Sequence, residues 1–152
     1  MNYDLSYLPA KFNTPQAQKM LSAIQHQEDP AMRRRQWPTG PARGLWQFEA
    51  GGGVAGVLNH PASRAHALAA CEKAGVRPTT AAVWAALQHD DRLAAAFARL
   101  LLYTDAAPLP AIGDEEGAWA YYLRNWRPGA YSRGNAEQRA ALRRKWSKSY
   151  AA

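Results

Sequence analysis

Apolar residues recur at helical spacing along most of the chain. Ala17, Met20, Leu21 and Ile24 fall at i, i+3, i+4 and i+7, the stripe that one face of a helix buries. The Thr14 hydroxyl can cap the free amides at the start, and Pro15 is tolerated at the first helical position. The helix runs to about Glu28, because Asp29 precedes Pro30 and a residue before proline is pushed out of the helical region. From Pro38 to Gly56 the pattern gives way to Gly, Pro and small residues, a loop with one short irregular or β-like piece around Leu45 to Phe48. Helical spacing then returns. An alanine-rich segment enters after Pro61 and stops at Gly75, and a Thr-capped helix follows with Val83, Trp84 and Leu87 inward. Asp90 or Asp91 opens the most hydrophobic segment, whose Leu93, Phe97, Leu100 and Leu101 mark the central core helix. Asp114 begins a helix with Trp119, Tyr122, Leu123 and Trp126 in register. The stretch "RPGAYSRGN" reads as a loop, and Asn135 caps a last helix that packs through Leu142 and Trp146. The expectation is a mainly α chain of about six helices, without repeats or a dividing linker.

Composition agrees with a single domain over 1–152: 152 residues, 47% of them hydrophobic. No run approaches the ~18 apolar residues that cross a bilayer, so membrane insertion is not expected, and the N-terminus lacks the basic start and apolar stretch of a signal peptide. Cys71 stands alone, which excludes an internal disulfide and a thiolate zinc cluster and suits a reducing cytoplasm. Lys and Arg number 19 against 12 Asp and Glu, and the net charge of +7 should attract polyanions such as nucleic acid, membrane surface or bacterial cell wall. The basic residues concentrate in "RRR" at 33–35 and "RAALRRKW" at 139–146, runs that otherwise serve as solvated faces.

Glu28 is the chemically pointed residue. A carboxyl at a helix C-terminus meets the negative end of the dipole, and on an apolar face it is desolvated; both disfavour the anion and raise the pKa. Such a group can protonate a leaving oxygen near neutral pH. The plainer alternative is a carboxylate that frays into solvent beside Asp29 or pairs with Arg33 to Arg35. His26, His60, His66 and His89 fit no common zinc spacing, so no metal site is expected. The "AGGGVAG" run at 50–56 reads as a flexible lip, and without a following Gly-Lys-Ser/Thr it is no phosphate loop, so no nucleotide or other cofactor is expected. Cys71 has no nearby base and reads as a buried small hydrophobe.

The segment "AIQHQEDPAMRRRQWPTGPARGLWQFE" resembles the signature of lysozyme-like lytic transglycosylases of the soluble-lytic type, in which a helix ends on the catalytic glutamate and a "GLMQ"-like turn follows. Glu28 matches the glutamate, and Gly44, Leu45, Trp46 and Gln47 match the turn. "AWAYYLRNWRPG" is similar to the family's aromatic helix, whose tyrosine approaches the glutamate and would fall on Tyr121 or Tyr122. Two departures stand out: Asp29 replaces the usual serine after the glutamate, and Leu123 and Arg124 replace the usual Asn-Ala-Gly after the tyrosine. The resemblance implies a lysozyme-like, two-lobed helical domain with a groove between the lobes. It implies cleavage of the N-acetylmuramic acid–N-acetylglucosamine bond of peptidoglycan, with Glu28 as acid and then base.

On the same resemblance, Trp46 would stack on a pyranose, Gln47 would hydrogen-bond an N-acetyl group, and Gly44 would let the backbone approach or take a positive φ. Glu49 is the carboxylate placed to be a second group if the enzyme is a hydrolase, since such enzymes separate two carboxyls by roughly 5–9.5 Å. The size and charge resemble a bacteriophage muralytic protein, made in the host cytoplasm and delivered to the wall by a virion or holin, with other virion or lysis proteins as partners. Two further readings are a non-catalytic phage structural protein on the same fold and a small basic nucleic-acid-binding protein. The sequence carries no helix-turn-helix, zinc finger or aromatic RNA-binding signature, so no specific nucleic acid is expected.

Overall fold

A computed structural model describes residues 2–152. The chain is mainly helical: α1 is Pro15–Glu28, α2 Ala55–Asn59, α3 Arg64–Ala74, α4 Thr80–Leu87, α5 Asp91–Tyr103, α6 Glu115–Trp126, α7 Gly129–Ser132 and α8 Ala136–Ala151. The helix starts are set by side chains that accept otherwise unpaired amides. Thr14 accepts from the Ala17 amide at 3.1 Å, Thr79 from Ala82 at 3.2 Å, and Asp90 from Leu93 at 3.0 Å. Asp114 accepts from Gly117 at 2.9 Å, and Asn135 and Gln138 form a reciprocal capping box at the head of α8. Gly75 ends α3 in a left-handed conformation at φ 69°.

The central helix is α5. Leu93, Phe97 and Leu100 are fully buried, and Ala94, Ala95, Ala96 and Ala98 are buried with them, so small residues let α1, α2, α3 and α4 approach it from several sides. Leu101, expected in this core, is only half-buried and faces a cavity described below. Arg99 runs through the apolar interior with its Nε donating to the Phe12 carbonyl at 2.9 Å, and burial holds its pKa below the ordinary value. The other extensive contact is between α1 and α8, where Gln27 near the end of α1 meets Leu142, Lys145 and Ser149 of α8.

Two local expectations are corrected. The "AGGGVAG" segment is no flexible lip: Ala50–Val54 forms a π-helical turn that continues into α2. Each glycine disfavours helix by about 1 kcal/mol, but Val54, Val57 and Leu58 are buried by this geometry, and that burial outweighs the propensity. At Gly53 a Cβ would come within 2.9 Å of the Phe48 ring, so glycine there is a packing requirement. The piece expected as irregular or β-like around Leu45 to Phe48 is irregular, held by isolated antiparallel bridges, Arg35 to Arg43 and Arg43 to Phe48. The loop after α6 contains the one-turn helix α7.

Among the described residues no helix is long and apolar enough to cross a membrane, and no group of three or more His, Cys, Asp or Glu could hold a metal ion.

Candidate active site

Glu28 is the last residue of α1, and two sets of hydrogen bonds fix the helix end that carries it. On one side Asp29 makes the stop rigid. Its amide donates to the Gln25 carbonyl at 2.8 Å, and its carboxylate accepts from the amides of Arg33 at 2.9 Å and Arg34 at 2.8 Å. Arg34 in turn donates from Nε and Nη2 to the two Asp91 oxygens at 2.7 Å each, tying the basic run to the start of α5. On the other side α8 holds Gln27. Its carbonyl accepts from Lys145 Nζ at 2.7 Å, its Oε1 accepts from the Ser149 hydroxyl at 2.8 Å, and its Nε2 donates to the Leu142 carbonyl at 3.3 Å.

The carboxylate of Glu28 accepts a hydrogen bond from the Tyr122 hydroxyl. Tyr122 is 2% exposed and is held among aromatic rings: it stacks on Trp146 at 5.0 Å and 15°, on Trp126 at 6.3 Å and 30°, and tilts against Trp119 at 5.6 Å. A ring packed so closely cannot swing its hydroxyl away. Burial raises the Glu28 pKa above the ordinary carboxylate value, opposed by the Tyr122 hydrogen bond and the Lys145 charge. Tyr122 is itself raised well above the usual phenol value, by burial first and then by the neighbouring glutamate, so it remains a proton donor. Glu28, Tyr122, Trp119, Gln27 and Lys145 line a cavity of about 180 Å³.

The "GLWQ" turn is built differently from its sequence reading. Arg43 and Phe48 exchange backbone hydrogen bonds of 2.9 and 2.8 Å, and the intervening residues fold back with Gly44 at φ +80° and Gln47 at φ +55°. Gly44 takes the positive φ expected of it, and a Cβ there would lie 3.0 Å from the Leu87 carbonyl, so its backbone packs on α4 and not on a ligand. Leu45 at 2% and Trp46 at 1% exposure are core residues. The Trp46 indole donates to the Leu21 carbonyl at 2.9 Å, and its own carbonyl accepts from Trp126 Nε1 at 3.0 Å, which leaves no face to stack on a sugar. Gln47 is half-buried and reaches a surface cavity, but that cavity is a second one, of about 680 Å³, which it shares with Glu49, Trp126 and Arg127.

The two cavities share no lining residue. They adjoin at the C-terminal end of α6, where Arg127 lines the larger and Pro128 the smaller. Glu49 is therefore exposed in a different hollow from Glu28. Of the two tyrosines, Tyr122 meets Glu28. Tyr121 points the other way, donating to the carbonyls of Leu102 and Ala107 at 3.0 Å each, and its pKa is pushed up to about 12, first by burial and then by the charge of Asp105.

Sequence reasoning missed Lys145, Trp119 and Gln27 at this site. For Lys145 a signal existed: it stands at i+3 from Leu142 and beside Trp146, on the flank of the inward face of α8. Set against known protein families, curated sequences and solved structures, the chain finds no match.

Proposed function

We propose that the protein cleaves the glycan strands of peptidoglycan between N-acetylmuramic acid and N-acetylglucosamine, as a lytic transglycosylase. The observation that carries this reading is Glu28: a desolvated carboxyl at a helix C-terminus, fixed by the Tyr122 hydroxyl and opening on a cavity. Glu28, protonated, gives its proton to the glycosidic oxygen as that bond breaks. As carboxylate it then takes the proton of the muramic 6-hydroxyl while that oxygen closes an anhydro ring on the same sugar. No water enters, and the glutamate ends protonated as it began. Tyr122 positions the carboxyl through both steps.

A single-carboxylate reaction suits the geometry better than hydrolysis with Glu49, because no second free carboxylate lines the Glu28 cavity. Glu49 belongs to the other hollow, and the Asp29 oxygens are occupied by two backbone amides. In this reading the helical domain is a two-lobed, lysozyme-like one, and the chain is a phage muralytic protein delivered to the wall by a virion or holin. The charge of +7 supports that setting by attracting the anionic polymers of the wall.

A second reading, a non-catalytic phage structural protein, draws on the size of the Glu28 cavity. At about 180 Å³ it is smaller than the roughly 300–1,000 Å³ of small-molecule sites, too small to enclose a saccharide.

Digestion of purified peptidoglycan by the wild type and Glu28→Gln, with products weighed by mass spectrometry, tests the proposal. Muropeptides lighter by one water than the hydrated sugars, and lost in the variant, are the expected result. Hydrated products would favour a lysozyme using Glu49. Release unaffected by Glu28→Gln would move the active site elsewhere, and no release by the wild type would put the structural reading in front.

A further inference from the structure

The larger cavity, about 680 Å³, lies within the ~300–1,000 Å³ range of small-molecule sites, and the glutamate chemistry does not use it. Two opposite charges line it. Arg127 occupies the left-handed cap position that ends α6, and Glu49 immediately precedes the π-helical turn. Among the described residues neither makes an ion pair, with the other or with anything else. Arg124 also lines the hollow, but its guanidinium is taken up by Asp105 at 3.0 Å. One free cation and one free anion therefore face a common space.

The neutral groups are half-committed in a consistent way. Gln47 gives its amide nitrogen to the Gly44 carbonyl, and Asn125 gives its own to Asp105 and the Tyr121 carbonyl, which leaves the side-chain oxygen of each as an acceptor. His60 Nδ1 accepts from the Ala62 amide at 3.0 Å, so the neutral ring carries its proton on Nε2. Two backbone features keep the hollow as it is. Of the four non-glycine residues with left-handed φ among the described residues, Gln47 at 55° and Arg127 at 47° both line it, and such strain concentrates at binding sites. Gly51 and Gly56 also line it, yet a Cβ on either would meet nothing within 4 Å, so packing does not demand glycine there. Side chains at those positions would project into open space.

We propose that this cavity binds a short zwitterionic peptide, its carboxylate on Arg127 and its amino group on Glu49, with the peptide N–H groups reaching the Asn125 and Gln47 oxygens. A neutral sugar offers hydroxyls to both groups but no opposite charge to either. A nucleotide brings phosphates toward Glu49 with only one uncommitted guanidinium to receive them. The inference stands on this cavity alone and does not depend on Glu28, since the two hollows share no residue.

The test is an amide-shift titration of the ¹⁵N-labelled protein with trialanine, N-acetyl-trialanine and trialanine amide. Shifts at residues 51–56 and 124–127 are expected with trialanine, and each capped form should bind about tenfold more weakly, the worth of one charge-assisted hydrogen bond. Glu49→Gln should make the protein indifferent to acetylation while it still discriminates against the amide. Arg127→Asn, which tolerates the left-handed cap, should do the reverse. Equal binding of free and capped peptides, no shifts in the cavity up to the solubility limit of trialanine, or a preference for a chito-oligosaccharide would each overturn the proposal. Glu28→Gln should leave the titration unchanged, which keeps the result readable whether or not the protein cuts peptidoglycan.

Discussion

Tyr122→Phe removes one oxygen from a ring that is otherwise held by Trp146, Trp126 and Trp119, so the packing survives and only the hydrogen bond to Glu28 is lost. A hydrogen bond to a charged group is worth about 1.5–3 kcal/mol, against about 0.5–1.5 kcal/mol for a neutral pair. The cost of the substitution must therefore depend on the protonation of Glu28. In the wild type the tyrosine holds the folded-state pKa of Glu28 below the value burial alone would give. Without it that pKa rises further, and the folded state binds its proton more tightly. The full penalty applies above the variant's folded pKa, and it shrinks toward the neutral-pair value as the pH falls through the wild-type folded pKa. Above the variant's folded pKa a loss of about 2 kcal/mol lowers the melting temperature of a domain this size by about 4–8 °C. Thermal melts of the wild type, Tyr122→Phe, Glu28→Gln and the double variant across acid to neutral pH measure both the penalty and the coupling. A cost that is the same at every pH, or additivity of the two substitutions above the variant's folded pKa, would refute the reasoning.

Glu28→Gln alone should stabilise the protein by about 0.5–2 kcal/mol above the folded-state pKa of Glu28, because it removes the cost of holding a desolvated charge. Burial raises the folded-state pKa of this acid, so its cost is absent below the unfolded pKa and complete above the folded one; the gain should vanish in acid, and denaturant midpoints at several pH values check it. Asp29→Ala leaves the amides of Arg33 and Arg34 without their acceptor at a cost of about 1–3 kcal/mol, and hydrogen exchange should show those two amides losing protection first. Gly44→Ala should destabilise by about 1–2 kcal/mol for the left-handed φ, and by more for the 3.0 Å contact with the Leu87 carbonyl, whereas Gly51→Ala, with open space around it, should be neutral or better in the same unfolding assay.

The elements whose ends depend on local chemistry were legible from the chain. Thr14, Thr79, Asp90, Asp114 and Asn135 each cap the helix they precede, and the Glu28–Asp29–Pro30 stop falls where a pre-proline residue puts it. What resisted reading depends on partners far along the chain. Trp46 occupies a turn, the ordinary place for a ligand-facing aromatic, yet the Leu21 carbonyl draws its indole inward. Tyr121 and Tyr122 are adjacent and chemically identical, and only the positions of the Leu102 carbonyl and the Glu28 carboxylate tell them apart. Helix formation across three successive glycines runs against local propensity and follows from the burial of Val54, Val57 and Leu58.

The anchoring of Gln27 by α8 also bears on how the protein is made. The helix end that carries Glu28 is held by Lys145 and Ser149, which lie 118 and 122 residues beyond Gln27. At about 5–20 residues per second of synthesis, the ribosome needs roughly 6–24 s after Gln27 before either partner exists. Through that interval the terminal carboxyl of α1 lacks the wall of α8, and Tyr122, which follows Glu28 by 94 residues, arrives only late in it. The nascent chain thus carries the acid early and the environment that tunes it late, so that any chemistry Glu28 performs is withheld until α8 has docked.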